Sequence, residues 1–124
     1  MGYYIELEDV KGLKFYNESC SDIICDIKDW AKNKEHLMWI NKSDLMKCVD
    51  IVSLFDILRY EITYHDIGRM YEITDFYGQK LGQDKEIFEI LAKYLKDGYI
   101  KWEGEDGDIL TLKIDKHKMT EEWT

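Results

Sequence analysis

Two stretches of the chain alternate between apolar and polar residues, and each is interrupted once by a glycine-containing turn. The first covers residues 60–75 and turns near Gly68, and the second covers residues 99–114 and turns near Gly104 and Gly107. Alternation with a period of two is typical of half-buried strands, and an Asp-Gly pair, present at the second turn, favours a tight hairpin. We therefore expect two β-hairpins that lie together in one antiparallel sheet.

Shorter patterns predict the other strands. Residues 3–8 alternate and indicate a first strand, and a turn at Gly12 leads into a short strand over residues 13–16. Residues 36–40 allow one further short strand. After Asp115 the chain is polar, and only two of its apolar side chains are able to pack there.

Apolar residues at helical spacing predict three helices. The first begins at Ser19 and ends near Asn33, and the last begins at Asp84 and continues to about residue 96. Residues 44–58 are apolar on nearly every side in their second half. Such a helix is either central in the core or covered by a partner, and we favour the core.

These elements predict one α+β domain over residues 1–124, with a mostly antiparallel sheet built from β-hairpins and two or three helices packed on one face. A chain of 124 residues is long enough for one core and too short for two. Hydrophobic residues make up 45% of the chain, which argues against disorder.

The sequence predicts a cytoplasmic protein that does not enter a membrane. No stretch approaches the ~20 apolar residues that a membrane-spanning helix needs. Residues 1–6 lack the basic start and apolar run of a secretory signal. Cys20, Cys25 and Cys48 are an odd number without the spacing of a disulfide framework, which is typical of a reducing compartment.

The charge balance favours a basic partner. The chain has 26 acidic and 17 basic residues and a net charge of −9. Such a chain repels phosphate backbones, so we expect no direct binding of nucleic acid, whereas the same field attracts a basic protein. Solubility alone would also explain the excess of acids.

No pattern predicts a metal site, a cofactor or a catalytic centre. Cys20 and Cys25 would point to different faces of a helix, so they do not form a zinc-binding pair. The acidic run over residues 103–108 lacks the last acid and the flanking helices of a calcium-binding loop. His65 and Asp66 are the one attractive local pair for catalysis, without a nucleophile motif beside them. We therefore expect that the protein is not an enzyme.

Two acidic clusters and a few aromatic residues are the candidates for binding a partner. On the first helix, Asp side chains spaced three and four apart share one flank, and the nearby Lys28 and Lys32 lie on the other. The candidate partner-binding residues are Asp22, Asp26 and Asp29 on that helix, and Glu103, Glu105, Asp106 and Asp108 at the second hairpin. Exposed aromatic side chains are expected at Tyr4, Tyr16, Trp39 and Trp123, and most of the aromatic residues are expected in the core.

Three further segments carry a resemblance to a known family. They are Gly78-Gln79-Lys80-Leu81-Gly82, Asp97-Gly98-Tyr99-Ile100 and Gly104-Glu105-Asp106-Gly107. With the acidic helix between the first two, roughly residues 60–115 resemble a family of small acidic proteins from phages and mobile elements of Gram-positive bacteria. The chain departs from the family pattern at Gln79, at the missing Ser after Gly98, and at Leu110 and Leu112, where the pattern has Glu, Ser and aromatic residues. The resemblance implies a genomic setting and no mechanism.

The charge and this resemblance together predict a non-catalytic acidic inhibitor that binds and blocks a bacterial nucleic-acid-handling protein, as anti-CRISPR and other anti-defence proteins do. Its partner would be a basic nuclease or nucleic-acid-binding effector, and its acids would act as a nucleic-acid mimic. An immunity protein that neutralises a cognate toxin would use the same charge against another target. A small enzyme of unknown class is the third hypothesis.

Overall fold

The computed structural model describes residues 4–124, which form seven strands and four α-helices. The predicted first strand begins at Tyr3, which lies outside the described residues. In chain order the elements are β1 (Ile5–Lys11), β2 (Lys14–Tyr16), α1 (Cys20–Lys32), α2 (Lys42–Lys47), α3 (Ile51–Ile57), β3 (Tyr60–His65), β4 (Met70–Phe76), α4 (Asp84–Leu91), β5 (Gly98–Gly104), β6 (Ile109–Asp115) and β7 (Lys118–Trp123).

The strands form two antiparallel sheets, which confirms the α+β class. One sheet has the order β1-β5-β6-β7 and the other the order β2-β4-β3. Both predicted hairpins are present, as β3–β4 and β5–β6. The prediction that they share one sheet is wrong, because β1 pairs along β5 while β2 pairs with β4. Among the helices that residues 4–124 form, none is long and apolar enough to span a membrane.

The chain passes from one sheet to the other at Gly12, where φ is +78°. This left-handed conformation favours glycine. A Cβ atom on Gly12 would stand 2.7 Å from the carbonyl oxygen of Asp97, and a Cβ atom on Gly98 would collide with the carbonyl oxygen of Lys11. Two glycines therefore allow the backbones to touch where the sheets diverge.

Alternation in the four-stranded sheet divides it into a core face and a polar face. Ile100, Trp102 and Leu112 are at most 1% exposed and pack with the helices. The residues that alternate with them on β5, such as Tyr99 and Lys101, lie on the opposite face of the sheet. This outer face carries charged side chains such as the exposed Glu103 and Lys113, as the predicted half-buried strands require.

The apolar segment over residues 44–58 forms two helices where the sequence predicts one. The break falls at residues 48–50, where the Asp50 carboxylate accepts a hydrogen bond of 2.8 Å from the backbone N–H of Ser53 and caps α3. Leu54 and Phe55 are fully buried, whereas Val49 is 84% exposed. The segment is thus core on one side and surface on the other.

Three other boundaries differ from the predictions. Residues 36–40 form turns and no strand, and α4 ends at Leu91, before the expected residue 96. The polar chain after Asp115 forms β7, a strand that the sequence does not predict. It turns back at Lys116 and His117, which both have positive φ, the geometry of a two-residue hairpin that usually contains Asn or Gly.

We expect Gly98→Ala to lower the free energy of unfolding by about 1–3 kcal/mol, because the added methyl group meets backbone atoms that side-chain movement cannot relieve. Gly107→Asn is the matched control, since Asn tolerates its φ of +88° and nothing lies within 4 Å of an added Cβ atom. Urea denaturation measures both variants. If Gly98→Ala is as stable as the native chain, the close approach at the crossover is wrong.

Candidate functional site

The turn between β5 and β6 presents acidic side chains to solvent. The backbone N–H of Gly104 donates to the carbonyl oxygen of Asp108 at 2.8 Å, and the N–H of Gly107 donates to that of Gly104 at 2.9 Å. These bonds close the turn. The predicted residues Glu103, Glu105, Asp106 and Asp108 are all exposed and come together here.

A fifth acid joins this turn from β1. Glu6 stands directly opposite Glu103 in the antiparallel register, and both are exposed. Like charges at opposed positions destabilise a strand pair. Within residues 4–124 neither carboxylate forms an ion pair that would relieve the repulsion. A surface pocket of about 260 Å³ lies beside them, lined by Tyr4, Ile5, Glu6, Glu103, Gly104 and Glu105.

Tyr4 also borders a second pocket, which is aromatic and basic. This pocket has a volume of about 330 Å³ and is lined by Tyr4, Trp39, Arg59, Gly78, Gln79 and Lys80. The ammonium group of Lys80 lies 4.6 Å from the centre of the Tyr4 ring and 5.5 Å from the Trp39 ring. Tyr4 and Trp39 are 52% and 51% exposed, as the sequence predicts. Below, the Tyr4 surface denotes Tyr4, Glu6, Trp39, Glu103 and Glu105.

Trp39 is held in an unusual conformation. Its φ of +65° is a genuine outlier for a bulky residue and persists only where the surroundings impose it. The side chain of Gln83 supplies that constraint. It accepts a hydrogen bond of 3.1 Å from the backbone N–H of Met38 and donates one of 3.1 Å to the carbonyl oxygen of His36. The loop before Trp39 is therefore anchored to the start of α4.

Asp84, the residue after Gln83, is buried in the core and stabilises the part of this region that contains Arg59 and Lys80. Its side chain is only 2% exposed and forms an ion pair of 2.8 Å with the Arg59 guanidinium. It also accepts hydrogen bonds from the Tyr60 hydroxyl at 2.7 Å and from the Gly82 N–H at 2.8 Å. Arg59 in turn donates to the carbonyl oxygen of Lys80 at 2.6 Å. Asp84 thus connects the end of α3, strand β3 and the loop that carries Lys80.

Burial at this cluster also affects Tyr60. Loss of solvent and the adjacent Asp84 carboxylate raise the pKa of the Tyr60 hydroxyl well above its usual value. Tyr60 therefore stays a neutral hydrogen-bond donor. The sequence predicts Asp84 only as a helix cap, whereas in the structure residue 83 precedes the first helical residue and the Asp84 side chain faces Arg59. The sequence contains one clue to the partner of Asp84, because Arg59 is one of only two arginines in the chain.

The predicted acids of α1 do not form one open stripe. Asp26 forms an ion pair of 2.8 Å with Lys93 and accepts a hydrogen bond from the Tyr94 hydroxyl. The Lys93 hydrogen bond is the main cause that lowers the pKa of the Asp26 carboxyl. Asp22 and Asp29 are exposed. Two of these three carboxylates remain available at the surface.

The structure keeps the two acidic clusters apart. Asp26 contacts residues 93 and 94, a few residues before β5 begins at Gly98, whereas the acidic turn follows the other end of β5 at Gly104. Six residue steps along a strand span about 20 Å. The two clusters are therefore separate parts of the surface.

The histidines and cysteines form no metal-binding group within residues 4–124. Nε2 of His65 lies 2.8 Å from a carboxylate oxygen of Glu72, its neighbour across the β3–β4 hairpin. Cys48 is buried, while Cys25 is exposed. Over residues 4–124, no three His, Cys, Asp or Glu residues are close enough to hold a metal ion.

Comparison with protein-family models, curated proteins and solved structures found no match to this chain. The resemblance over residues 60–115 stays a prediction that depends on the three segments quoted for it.

Asp84→Ala is expected to lower the free energy of unfolding by about 3–5 kcal/mol, because Arg59 then remains buried without its counter-charge. The double variant Arg59→Met/Asp84→Leu removes both charges and should recover part of the loss, because the Tyr60 hydroxyl and the Gly82 N–H still lack their acceptor. Thermal unfolding of the three proteins tests this. An Asp84→Ala chain as stable as the native one would show that the ion pair does not hold this region.

Asp26→Asn is expected to lower stability at neutral pH by less than ~1 kcal/mol, since the pair with Lys93 is partly exposed. The pKa of Asp26 is lowered in the folded chain, so its contribution is present above the unfolded pKa and is lost as pH falls through the folded pKa. Denaturation curves of the native and variant chains should therefore converge in acid. Asp29→Asn on the same helix serves as the control and should match the native chain throughout. Parallel curves for Asp26→Asn would contradict the ion pair.

Proposed function

We propose that this protein is a non-catalytic cytoplasmic inhibitor that binds and blocks a basic, nucleic-acid-handling protein of a bacterium. The observation that carries the proposal is the opposed pair Glu6 and Glu103 beside the exposed ring of Tyr4. The Tyr4 surface is the binding surface, and the rest of the acidic turn extends it.

The repulsion between the opposed Glu6 and Glu103 carboxylates favours the binding of a cation. Like charges on directly opposed strand positions destabilise the strand pair. An arginine or lysine of a partner that enters between Glu6, Glu103 and Glu105 converts this repulsion into attraction. The partner therefore gains both its own ion pairs and the relief of a repulsion that the free chain carries.

The aromatic side chains supply apolar area beside the acids. Tyr4 and Trp39 are each about half exposed, and Trp39 sits on a loop fixed by Gln83. Rigid aromatic side chains lose little conformational entropy on binding and are enriched among the residues that dominate interface energies. An acidic rim with aromatic anchors is the surface expected of a protein-binding inhibitor.

Charge favours a protein that binds nucleic acid over nucleic acid itself. With a net charge of −9 the chain is repelled by phosphate backbones and attracted to the basic groove that a nuclease presents to them. The resemblance to mobile-element proteins supplies the setting in which an anti-CRISPR-like block of such a protein is useful. In this proposal the acids occupy positions that phosphates would otherwise take.

The test uses purified RNA-guided and restriction nucleases from a Gram-positive bacterium. The native chain should inhibit DNA cleavage by its target at about one equivalent. The variant Glu6→Gln/Glu103→Gln/Glu105→Gln should need at least about tenfold more protein at low salt, because it keeps the shape of the surface and removes its charge.

The matched control is Asp22→Asn/Asp29→Asn/Asp66→Asn, which changes the net charge equally at exposed positions away from the Tyr4 surface. It should inhibit as well as the native chain. If the control loses inhibition and the glutamine variant keeps it, α1 is the binding surface. If no nuclease is inhibited, the proposed class of target is wrong.

A further inference from the structure

Strand β7 is an open edge of the four-stranded sheet. Within residues 4–124 it pairs with β6 on one side and with no strand on the other. Its register with β6 runs from Lys118 to Trp123 without a shift, whereas β1 and β3 each contain a register shift. Such irregularities protect an edge from pairing with another chain, and β7 lacks this protection.

The backbone of β7 directs hydrogen-bonding groups outward at every second residue. Ile109 and Thr124 exchange both backbone hydrogen bonds, each of 2.9 Å, so they are a hydrogen-bonded pair. Hydrogen-bonded and non-hydrogen-bonded pairs alternate along an antiparallel ladder. The N–H and C=O groups of Met119, Glu121 and Trp123 therefore face away from β6, where another strand can bind them.

We propose that a second copy of this chain pairs with β7, antiparallel and about a two-fold axis at Thr120. In this register Lys118 of each copy stands opposite Glu122 of the other, so each interface contains two pairs of opposite charge. Thr120 stands opposite its own counterpart. Opposite-charge pairs and threonine pairs at directly opposed positions stabilise antiparallel strands.

Charge selects this register among its neighbours. A two-fold axis at Glu121 or at Glu122 would place two glutamates opposite each other, which is destabilising. An axis at Met119 would place Lys118 opposite Thr120 and would form no opposite-charge pair between these strands. Pairing about Thr120 is the register in which every charged residue on the outer face of β7 meets its opposite.

The backbone geometry agrees with this register. Thr120 directs its own N–H and C=O toward β6, so the pairs Thr120–Thr120 and Lys118–Glu122 are non-hydrogen-bonded across the new interface. Opposed side chains approach more closely in such pairs, at Cα separations of about 4.5 Å. The outward N–H and C=O groups of Met119 in one copy then form hydrogen bonds with those of Glu121 in the other copy.

The side chains at this edge are available for the pairing. Lys118 and Glu122 are exposed, and neither forms an ion pair within residues 4–124. Lys118 stands opposite Asp115 on β6, so the charges of Asp115, Lys118 and the second copy's glutamate alternate in sign across the interface.

Two four-stranded sheets joined in this way form one continuous sheet of eight strands. Since β1 and β7 are at opposite edges of each sheet, the Tyr4 surfaces lie at the two far ends of the dimer. Dimerisation therefore leaves the proposed partner-binding surface open and makes the protein bivalent. The inference stands independently of the proposed function, because it needs no partner.

Sedimentation across a dilution series of the purified chain tests the pairing. The native chain should dimerise in a concentration-dependent manner. Glu122→Lys should weaken dimerisation about tenfold, since two attractive pairs become repulsive. This variant lowers the net negative charge, so general electrostatic repulsion predicts the opposite change. Glu8→Lys makes the same charge change on exposed β1 and should not weaken dimerisation.

The charge reversal Lys118→Glu/Glu122→Lys should dimerise more tightly than Glu122→Lys, because it restores two opposite-charge pairs, although its new carboxylate at position 118 opposes Asp115 within the same chain. Hydrogen exchange at the Met119 and Glu121 amides should slow as concentration rises. A native chain that is monomeric throughout the series overturns the proposal. So does a double variant that dimerises no better than Glu122→Lys, or exchange at these two amides that does not depend on concentration.

Discussion

A carboxylate that is removed from water must find donors, and Asp84 finds three of them, two on the consecutive residues Arg59 and Tyr60 and one on Gly82. Arg59 supplies an opposite charge, Tyr60 a hydroxyl group and Gly82 a backbone N–H. The cost of burying the charge is repaid only while all three are in place. The buried carboxylate therefore fixes the end of α3, the start of β3 and the loop before α4 relative to one another. Lys80, whose carbonyl oxygen accepts from Arg59, is positioned by the same cluster.

Buried and exposed acids differ in whether they form ion pairs, and this difference supports a binding role for the Tyr4 surface. The buried and half-buried acids, Asp84 and Asp26, are matched by Arg59 and Lys93. The acids of the Tyr4 surface have no such partners within the described residues, and two of them oppose each other across strands. An opposed pair of open carboxylates such as Glu6 and Glu103 is suited to a cation from another protein. The anchored loop behind Trp39 keeps the aromatic part of the surface in place.

Local patterns predicted the elements of the fold better than their arrangement. The two hairpins, α1 and the exposure of Tyr4 and Trp39 follow from alternation and spacing. The division into two sheets does not, because the pairing of β1 with β5 joins segments about ninety residues apart that no local period relates. The turn between β6 and β7 contains Lys116 and His117, where Asn or Gly is usual. At the site, the acidic turn was visible in the sequence, whereas the contact between Asp26 and Lys93 exists only after folding.

The unmatched acids on the Tyr4 surface are proposed to attract a basic partner. The most direct test of this attraction is the association rate constant between the chain and a nuclease whose DNA cleavage it proves to inhibit, measured by stopped-flow fluorescence at increasing ionic strength. The Debye length falls from ~30 Å at 0.01 M to ~8 Å at 0.15 M salt, so association by long-range attraction slows steeply over this range. We expect such a fall, with a much smaller change in the dissociation rate constant. An association rate constant that is the same at low and high salt would contradict it.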